Sequence, residues 1–190
     1  MKTLMNQKNF KKEVIKKFNA RGKLVYGKDF RIAYHRIPLL VEFVNYAMPT
    51  KDIAYSIPII PNKGILLLGH QDSGKTAWMH LVKPFFDEGE RYALRSIKEI
   101  NMKFILYGKH TLSPYLDHQL PLCIDDWTMH SSIIEQFDVL FYILYKRMKK
   151  GLPNRHTHLI SDMNIETIGQ LYSKDKVDFL FKYFNIIEFR

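Results

Sequence analysis

The sequence is poor in cysteine, acidic side chains and long apolar runs, and each shortage excludes a class of protein. The single cysteine, Cys123, leaves no partner for an intramolecular disulfide and excludes a zinc site built from cysteines. No apolar run approaches the ~20 residues that a membrane-spanning helix needs. The first residues carry lysines but lack the apolar core and small residues of a secretory signal peptide. We therefore expect a cytoplasmic protein with no membrane partner.

Acidic residues are outnumbered by basic ones, 19 against 29, which gives a formal net charge of +10. A basic protein binds polyanions favourably, because its cations release the counterions condensed on phosphates. The composition therefore favours contact with nucleic acid. The alternative is a basic surface that only keeps the protein in solution.

Residues 1–25 concentrate this charge, with eight lysines and arginines against one acid, Glu13. Apolar side chains recur there at helical spacing, which predicts a basic amphipathic helix that Gly22 and Gly27 break. The helix either lies on DNA or a partner, or packs on the protein by its thin apolar stripe. That stripe consists of Phe10, Val14, Ile15 and Phe18.

From Gly64 onward, apolar runs alternate with helical patterns. The run Ile65-Leu66-Leu67-Leu68 is typical of a strand buried on both faces of a parallel sheet. Strands separated by helices imply right-handed crossovers and an α/β fold. The patterns predict strands over 65–68, 92–97, 120–124, 156–161 and 185–189. They predict helices over 38–47, 74–86, 98–107, 131–150 and, in one or two pieces, 166–183.

A glycine-rich loop follows the first buried strand and matches the Walker A pattern Gly-x-x-x-x-Gly-Lys-Thr. Its glycines allow the backbone to approach phosphate oxygens, and its amides with the next helix's N-terminus form an anion site. Lys75 is expected to reach the β- and γ-phosphates, and the Thr76 hydroxyl to hold Mg²⁺. The alternative is a glycine-rich turn that merely contains Lys-Thr. The predicted nucleotide-binding residues are Gly69, Asp72, Ser73, Gly74, Lys75, Thr76 and Ala77.

An acidic pair, Asp125 and Asp126, ends the apolar strand Leu122-Cys123-Ile124. In P-loop enzymes we expect this strand beside the first one. Asp125 is then predicted to bind Mg²⁺, mostly through water, and Asp126 to act as general base on the attacking water. The alternative is a strand that ends in a polar turn. Trp127 either packs on the sheet or touches a base.

With both motifs placed, the chain resembles AAA+ ATPases of the bacterial helicase-loader and transposase-helper group, the DnaC-like and IstB-like proteins. The resemblance covers about residues 30–190, and it is greatest to compact versions from Bacteroidetes genomes and their phages. The matching stretches are 63–69, the Walker A loop, 124–126, 157–159 and the last strand at 184–187.

The resemblance implies a three-layer αβα P-loop NTPase fold, an AAA+ core with a parallel five-stranded sheet and no C-terminal lid domain. It places this domain at 31–190, after a basic helical extension at 1–30. It implies ATP and Mg²⁺ as ligands and a homo-oligomer around single-stranded DNA, with a role in DNA replication. The partner is a replicative helicase or a transposase.

Two positions depart from the family pattern. The family has a water-positioning Asn after its fourth strand, where this chain has Asp162, with Asn164 two residues on. We assign both to the catalytic set with Lys75 and Asp126, although an aspartate repels the γ-phosphate. The second departure is that residues 171–179 contain lysines but no arginine for an arginine finger, which leaves Arg155 and Arg190 as candidates.

These departures leave several functions open. The first is a DnaC-like helicase loader with slow or partner-dependent hydrolysis, and the second an IstB-like transposition helper. The third is a non-hydrolysing, nucleotide-dependent binding module. The fourth is a small-molecule kinase, against which stands the absence of an arginine-bearing lid segment. His156 and His158 share a strand face but have no third ligand, so they do not predict a metal site.

Overall fold

The computed structural model describes residues 2–48, 59–117, 119–128, 133–134, 137–148 and 154–189. The helices are α1 Lys2–Tyr26, α2 Ile37–Ala47, α3 Lys75–Val82, α4 Ile97–Tyr107, α5 Ser113–Leu116, α6 Val139–Met148, α7 Ile165–Leu171 and α8 Lys174–Tyr183. The strands are β1 Gly64–Leu68, β2 Ala93–Ser96, β3 Leu122–Trp127, β4 Ile133–Ile134, β5 Phe137–Asp138, β6 Thr157–Ser161 and β7 Phe184–Glu188. The chain forms two compact units, one of Met1–Pro61 with Ala77–Arg91 and the other of Asn62–Thr76 with Tyr92–Arg190.

The second unit contains a five-stranded sheet in the order β2-β3-β6-β1-β7, with every neighbouring pair parallel. This confirms the predicted α/β class and the five parallel strands. The expectation that β3 lies beside β1 is wrong, because β6 is inserted between them. Since all five strands run the same way, the segments that follow β1, β3, β6 and β7 still meet at one edge of the sheet.

The central strand β1 is buried at all five positions, as its apolar run predicts. The strand begins at Gly64, one residue earlier than predicted, and packs very closely on β6. A Cβ at Gly64 would lie 1.9 Å from the carbonyl oxygen of Thr157. A glycine is therefore required where these two strands start.

In the first unit, α1 packs by its apolar stripe. Val14 and Phe18 are buried, and the Phe18 ring lies 5.2 Å from the ring of Trp78. Gly22 does not break the helix as predicted, since α1 runs on to Tyr26. Tertiary packing explains the glycine instead, because a Cβ at position 22 would lie 2.0 Å from the Phe30 ring. The glycine makes room for that ring, and the packing alternative for α1 is confirmed for this stripe.

The predicted helix over 131–150 is wrong in its first part. Residues 133–134 and 137–138 form the short antiparallel pair β4 and β5, and α6 starts only at Val139. Asp138 accounts for this start, because its Oδ1 accepts a hydrogen bond from the Phe141 amide at 3.1 Å. The apolar spacing of Phe137 and Phe141 was mistaken for one continuous helix.

The core of the second unit lies between the sheet and α4, α6, α7 and α8. Trp127 is fully buried there, and its ring nitrogen donates to the Tyr172 hydroxyl at 3.0 Å. The packing alternative for Trp127 is therefore confirmed. Cys123 is also fully buried, as expected for a small core residue in mid-strand.

Candidate functional site

The Walker A loop joins β1 to α3 at the carboxyl edge of the sheet. The amide of Gly69 donates to the carbonyl of Ser161 at 3.2 Å, so the loop starts by continuing the β1–β6 ladder. A Cβ at Gly69 would lie 2.5 Å from the carbonyl oxygen of Phe189, which follows β7. Gly74, with φ of 94°, takes a conformation that favours glycine. Both motif glycines are thus required by the backbone.

The backbone conformation accounts for an aspartate at position 72, in a loop predicted to bind phosphate. Asp72 takes the left-handed conformation, with φ of 61°, in the turn that the Ser73 amide closes onto the His70 carbonyl at 3.2 Å. Aspartate adopts this conformation more readily than most residues other than glycine. The side chain is exposed, which keeps the acid out of the packed part of the loop.

Lys75 is folded back over its own loop and is almost fully buried, with 4% of its side chain exposed. Its Nζ donates to the carbonyls of Gly69 and His70 at 2.8 and 2.7 Å, and lies 3.3 Å from the Ser73 hydroxyl. It also forms an ion pair with Oδ1 of Asp162 at 2.9 Å. The ammonium group is therefore held at the mouth of the loop.

Thr76 meets Asp125 at the same edge. The Thr76 hydroxyl donates to Oδ2 of Asp125 at 2.7 Å, although β1 and β3 are not neighbours. Asp125 is buried, and this burial raises the pKa of its carboxyl, while the hydrogen bond from Thr76 opposes the shift. A hydroxyl and a carboxylate in contact are oxygen donors of the kind that hydrated Mg²⁺ takes. These two residues fit the cation, and the Walker A loop with the Lys75 ammonium at its mouth fits the phosphates.

Asp126 is set apart from Asp125 by the backbone. It has φ of 62°, at an irregularity in the register between β3 and β6. Its amide donates to Oδ1 of Asp125 at 2.7 Å. The two carboxylates of the pair are thus held in different surroundings, since Asp125 is buried and Asp126 is only half-buried.

Asn164 serves as the N-cap of α7, where its Oδ1 accepts from the Thr167 amide at 2.7 Å. Together with Asp162 it lines a cavity of about 720 Å³ beside the Walker A loop. Sequence reasoning missed several residues of this cavity, because they lie at or beyond the ends of strands other than β1. Only Met163 had a signal, its place shortly after the predicted strand 156–161. The missed lining residues are Thr128, Met163, Thr167, Glu188 and Phe189.

The structure brings Lys75 into contact with Asp162 and Thr76 into contact with Asp125, with Asp126 next to Asp125 in the chain. Ala77 follows in α3 but belongs to the other compact unit, so its part in nucleotide binding stays a prediction. Of the two candidate arginines, Arg155 precedes β6, at the opposite end of that strand from Asp162, and Arg190 lies outside the described residues. An arginine finger in trans stays a prediction.

His158 has a structural place in the sheet. It is fully buried, and its Nδ1 accepts a hydrogen bond from the Ile65 amide at 3.2 Å. Burial lowers the pKa of the ring to about 3, helped by the charges of Arg155, His156 and Arg147. Among the described residues, no group of three or more His, Cys, Asp or Glu side chains is arranged to hold a metal ion.

No helix within the described parts of the chain has the length and apolar character needed to cross a membrane.

Comparison with known proteins gives matches among solved structures only. No protein-family model matches the sequence, and no curated protein matches it. The structure of the DnaC helicase loader matches with a TM-score of 0.60 and 15% identity, over 84% of this chain and 92% of that one. DnaI matches with a TM-score of 0.54 and 18% identity, over 85% and 86% of the two chains.

Two further solved structures have the same fold. A candidate primosome component from Streptococcus pyogenes serotype M3 matches with a TM-score of 0.56 and 16% identity, over 83% of this chain and 81% of that one. AMPPCP-bound DnaA from Aquifex aeolicus matches with a TM-score of 0.58 and 12% identity, over 85% of this chain but only 48% of DnaA. The chain thus spans about half the length of DnaA. The resemblance to the DnaC-like group that the motifs indicated is confirmed at the level of the fold, and the second unit is an α/β P-loop NTPase sheet like that of DnaC and DnaI.

Proposed function

We propose that this chain is an ATP-binding P-loop ATPase that acts on DNA in the cytoplasm, as a DnaC-like loader of a replicative helicase. The observation that carries nucleotide binding is the hydrogen bond between Thr76 and Asp125. It joins the Walker A loop to the acidic strand end, across the intervening strand β6. Two motifs that sequence reasoning assigned to one Mg²⁺ thus lie in contact.

In this proposal each residue of the site has a separate role in binding or hydrolysis. The loop from Gly69 to Gly74 offers amides to the phosphates, and Lys75 neutralises their charge. Thr76 and Asp125 hold Mg²⁺, which supplies charge neutralisation at the phosphates when it is bound. Asp126 orients and deprotonates the attacking water. Asn164, whose Oδ1 caps α7, lines the cavity and contributes to the placement of that water.

The role on DNA is supported by the fold shared with DnaC and DnaI and by the net charge of +10. Single-stranded DNA as partner, assembly of several copies around it, and contact with a replicative helicase complete this proposal. Binding should require nucleotide and weaken steeply as salt rises, because phosphate contacts release counterions. A preference for duplex DNA, together with binding of a transposase, would favour an IstB-like helper.

A second candidate function is a nucleotide-dependent binding module that does not hydrolyse ATP. The ion pair between Lys75 and Asp162 favours it, because a carboxylate occupies the position at which the family has a neutral Asn. Residues 171–179 also offer no arginine for a finger in trans. Binding and hydrolysis therefore need separate tests.

The binding test compares the parent chain with Lys75→Ala by calorimetric titration of ATP in the presence of Mg²⁺. We expect the variant to lose at least about tenfold in affinity, because the phosphates lose their buried cation. Lys103→Ala, which removes an exposed lysine from α4, is the matched control and should bind like the parent. Equal ATP affinity of the parent and Lys75→Ala, or no binding by the parent, would refute the proposal.

A further inference from the structure

The ammonium group of Lys75 already has a full set of acceptors. A lysine donates three hydrogen bonds. They go to the carbonyl oxygens of Gly69 and His70 and to the Ser73 hydroxyl, and the ammonium group also forms an ion pair with Oδ1 of Asp162 at 2.9 Å. A phosphate that binds Lys75 must therefore displace one of these partners. The charged partner Asp162 is the one that competes most strongly with a phosphate, because a full negative charge attracts the ammonium group more than a neutral oxygen does.

Asp162 also lines the cavity in which we expect the nucleotide phosphates to bind. It directly follows β6, and 35% of its side chain is exposed into the cavity that Gly69 and His70 line. Its charge also reaches Asp125, since it adds to the rise in the pKa of that carboxyl, which burial mainly causes. A negative group is thus fixed beside the lysine that is expected to take the terminal phosphates. Like charges repel strongly in such a partly buried place.

We infer that Asp162 is a specificity-determining residue that competes with the terminal phosphate for Lys75 and biases the site toward nucleoside diphosphates over triphosphates. The inference rests on the proposed nucleotide binding. A triphosphate carries one more charged phosphoryl group than a diphosphate, so it is penalised more by a fixed carboxylate at the same lysine. Neutralising Asp162 should therefore improve triphosphate binding more than diphosphate binding.

The test measures binding of ADP and of the non-hydrolysable analogue AMPPCP, with Mg²⁺, to the parent, Asp162→Asn and Asp162→Ala. Asn keeps the size and can donate a hydrogen bond to phosphate, whereas Ala only removes the charge. We expect both variants to bind AMPPCP about tenfold more tightly than the parent and to change ADP affinity by less than about threefold. Asp178→Asn removes the same charge from the exposed face of α8, where Asp178 pairs with Lys174, and should leave both affinities unchanged.

The outcomes separate this inference from the proposed function. If both Asp162 variants bind ADP and AMPPCP within twofold of the parent while Lys75→Ala loses binding, the competition is refuted and nucleotide binding stands. A tighter AMPPCP complex with Asn but not with Ala also refutes it, because the gain then comes from the new donor. If the parent binds no nucleotide, the proposed function fails and this inference fails with it.

Discussion

Ser161 donates a hydrogen bond from its hydroxyl to the backbone carbonyl of Trp127 at 2.6 Å. The contact fixes the end of β6 to the end of β3. Along the two strands, Ile124 of β3 pairs with Leu159 of β6, and the next pair is Trp127 with Ser161. β3 therefore contains one residue more than β6 between these two pairs, which is a β-bulge. Bulges re-aim side chains, and this one sets the direction of Asp126.

The bulge makes Asp126 the sharpest test of hydrolysis. Asp126→Asn keeps the size of the side chain and the left-handed backbone, which Asn also tolerates. If Asp126 is the general base, single-turnover hydrolysis of ATP should fall by about 10²-fold or more, with ATP affinity nearly unchanged. Asp178→Asn serves as the charge control. If the parent and Asp126→Asn hydrolyse ATP equally slowly, only the non-hydrolysing binding module remains.

The hydroxyl of Thr76 is predicted to make nucleotide binding depend on Mg²⁺. Thr76→Ala removes the oxygen that contacts Asp125, so the ATP affinity measured with Mg²⁺ should fall about tenfold. In excess chelator the parent and the variant should bind ATP alike. Thr76→Ser restores the hydroxyl and should restore the Mg²⁺ effect. A Thr76→Ala protein that responds to Mg²⁺ as the parent does would remove Thr76 from the cation site.

Arg147 joins several chain segments near the start of β6, at the opposite end of that strand from the candidate site. It is 98% buried, since only 2% of the residue is exposed, and burial lowers the pKa of its guanidinium to about 10. All five of its N–H groups are matched by an acceptor. These acceptors are the Thr157 hydroxyl and the carbonyls of Tyr115, Asp117, Leu120 and His156, at 2.8 to 3.1 Å.

Arg147→Lys is therefore expected to be strongly destabilising. A lysine has three donors at one point and leaves several of these buried acceptors without a partner, so the free energy of unfolding should fall by about 2–4 kcal/mol. Urea denaturation measures this. Arg95→Lys, at an exposed arginine of β2, is the matched control and should change it by less than about 0.5 kcal/mol. A loss below about 1 kcal/mol for Arg147→Lys would contradict the network's role.

The buried His158 predicts a pH dependence of stability. Its pKa is about 3 in the folded protein and 6.5 for an ordinary histidine, so between these values the unfolded chain binds the extra proton. Stability contributed by the neutral ring is present above pH 6.5 and is lost as the pH falls toward 3. The loss from this group alone amounts to at most about 1.4 kcal/mol for each pH unit.

His158→Leu removes this titration. The variant should be less stable than the parent at pH 7.5 by about 1–3 kcal/mol, because the Ile65 amide loses its acceptor. Its stability should then fall less steeply than that of the parent between pH 6.5 and 4.5, as followed by denaturant unfolding. His110→Leu makes the same change at an exposed site. Parallel pH profiles for the parent and His158→Leu would contradict the prediction.

Local features of the sequence determined much of this protein. The run Ile65–Leu68, the spacing of Gly69, Gly74 and Lys75, and the alternation of strands and helices were enough to predict a parallel α/β sheet with a phosphate loop after its first strand. These predictions succeed because hydrophobic period and glycine backbone freedom act within a few residues. Where a distant ring intervenes, as Phe30 does against Gly22, the local rule fails.

Only the tertiary structure decided how the strands are ordered and what their ends contact. The insertion of β6 between β1 and β3 determines that Asp162 reaches Lys75, and the bulge at Asp126 exists only because β3 is paired with β6. Strand order, register and long-range ion pairs depend on which segments meet in space. No period along the chain encodes that, because these contacts gain their free energy from partners far away in the sequence.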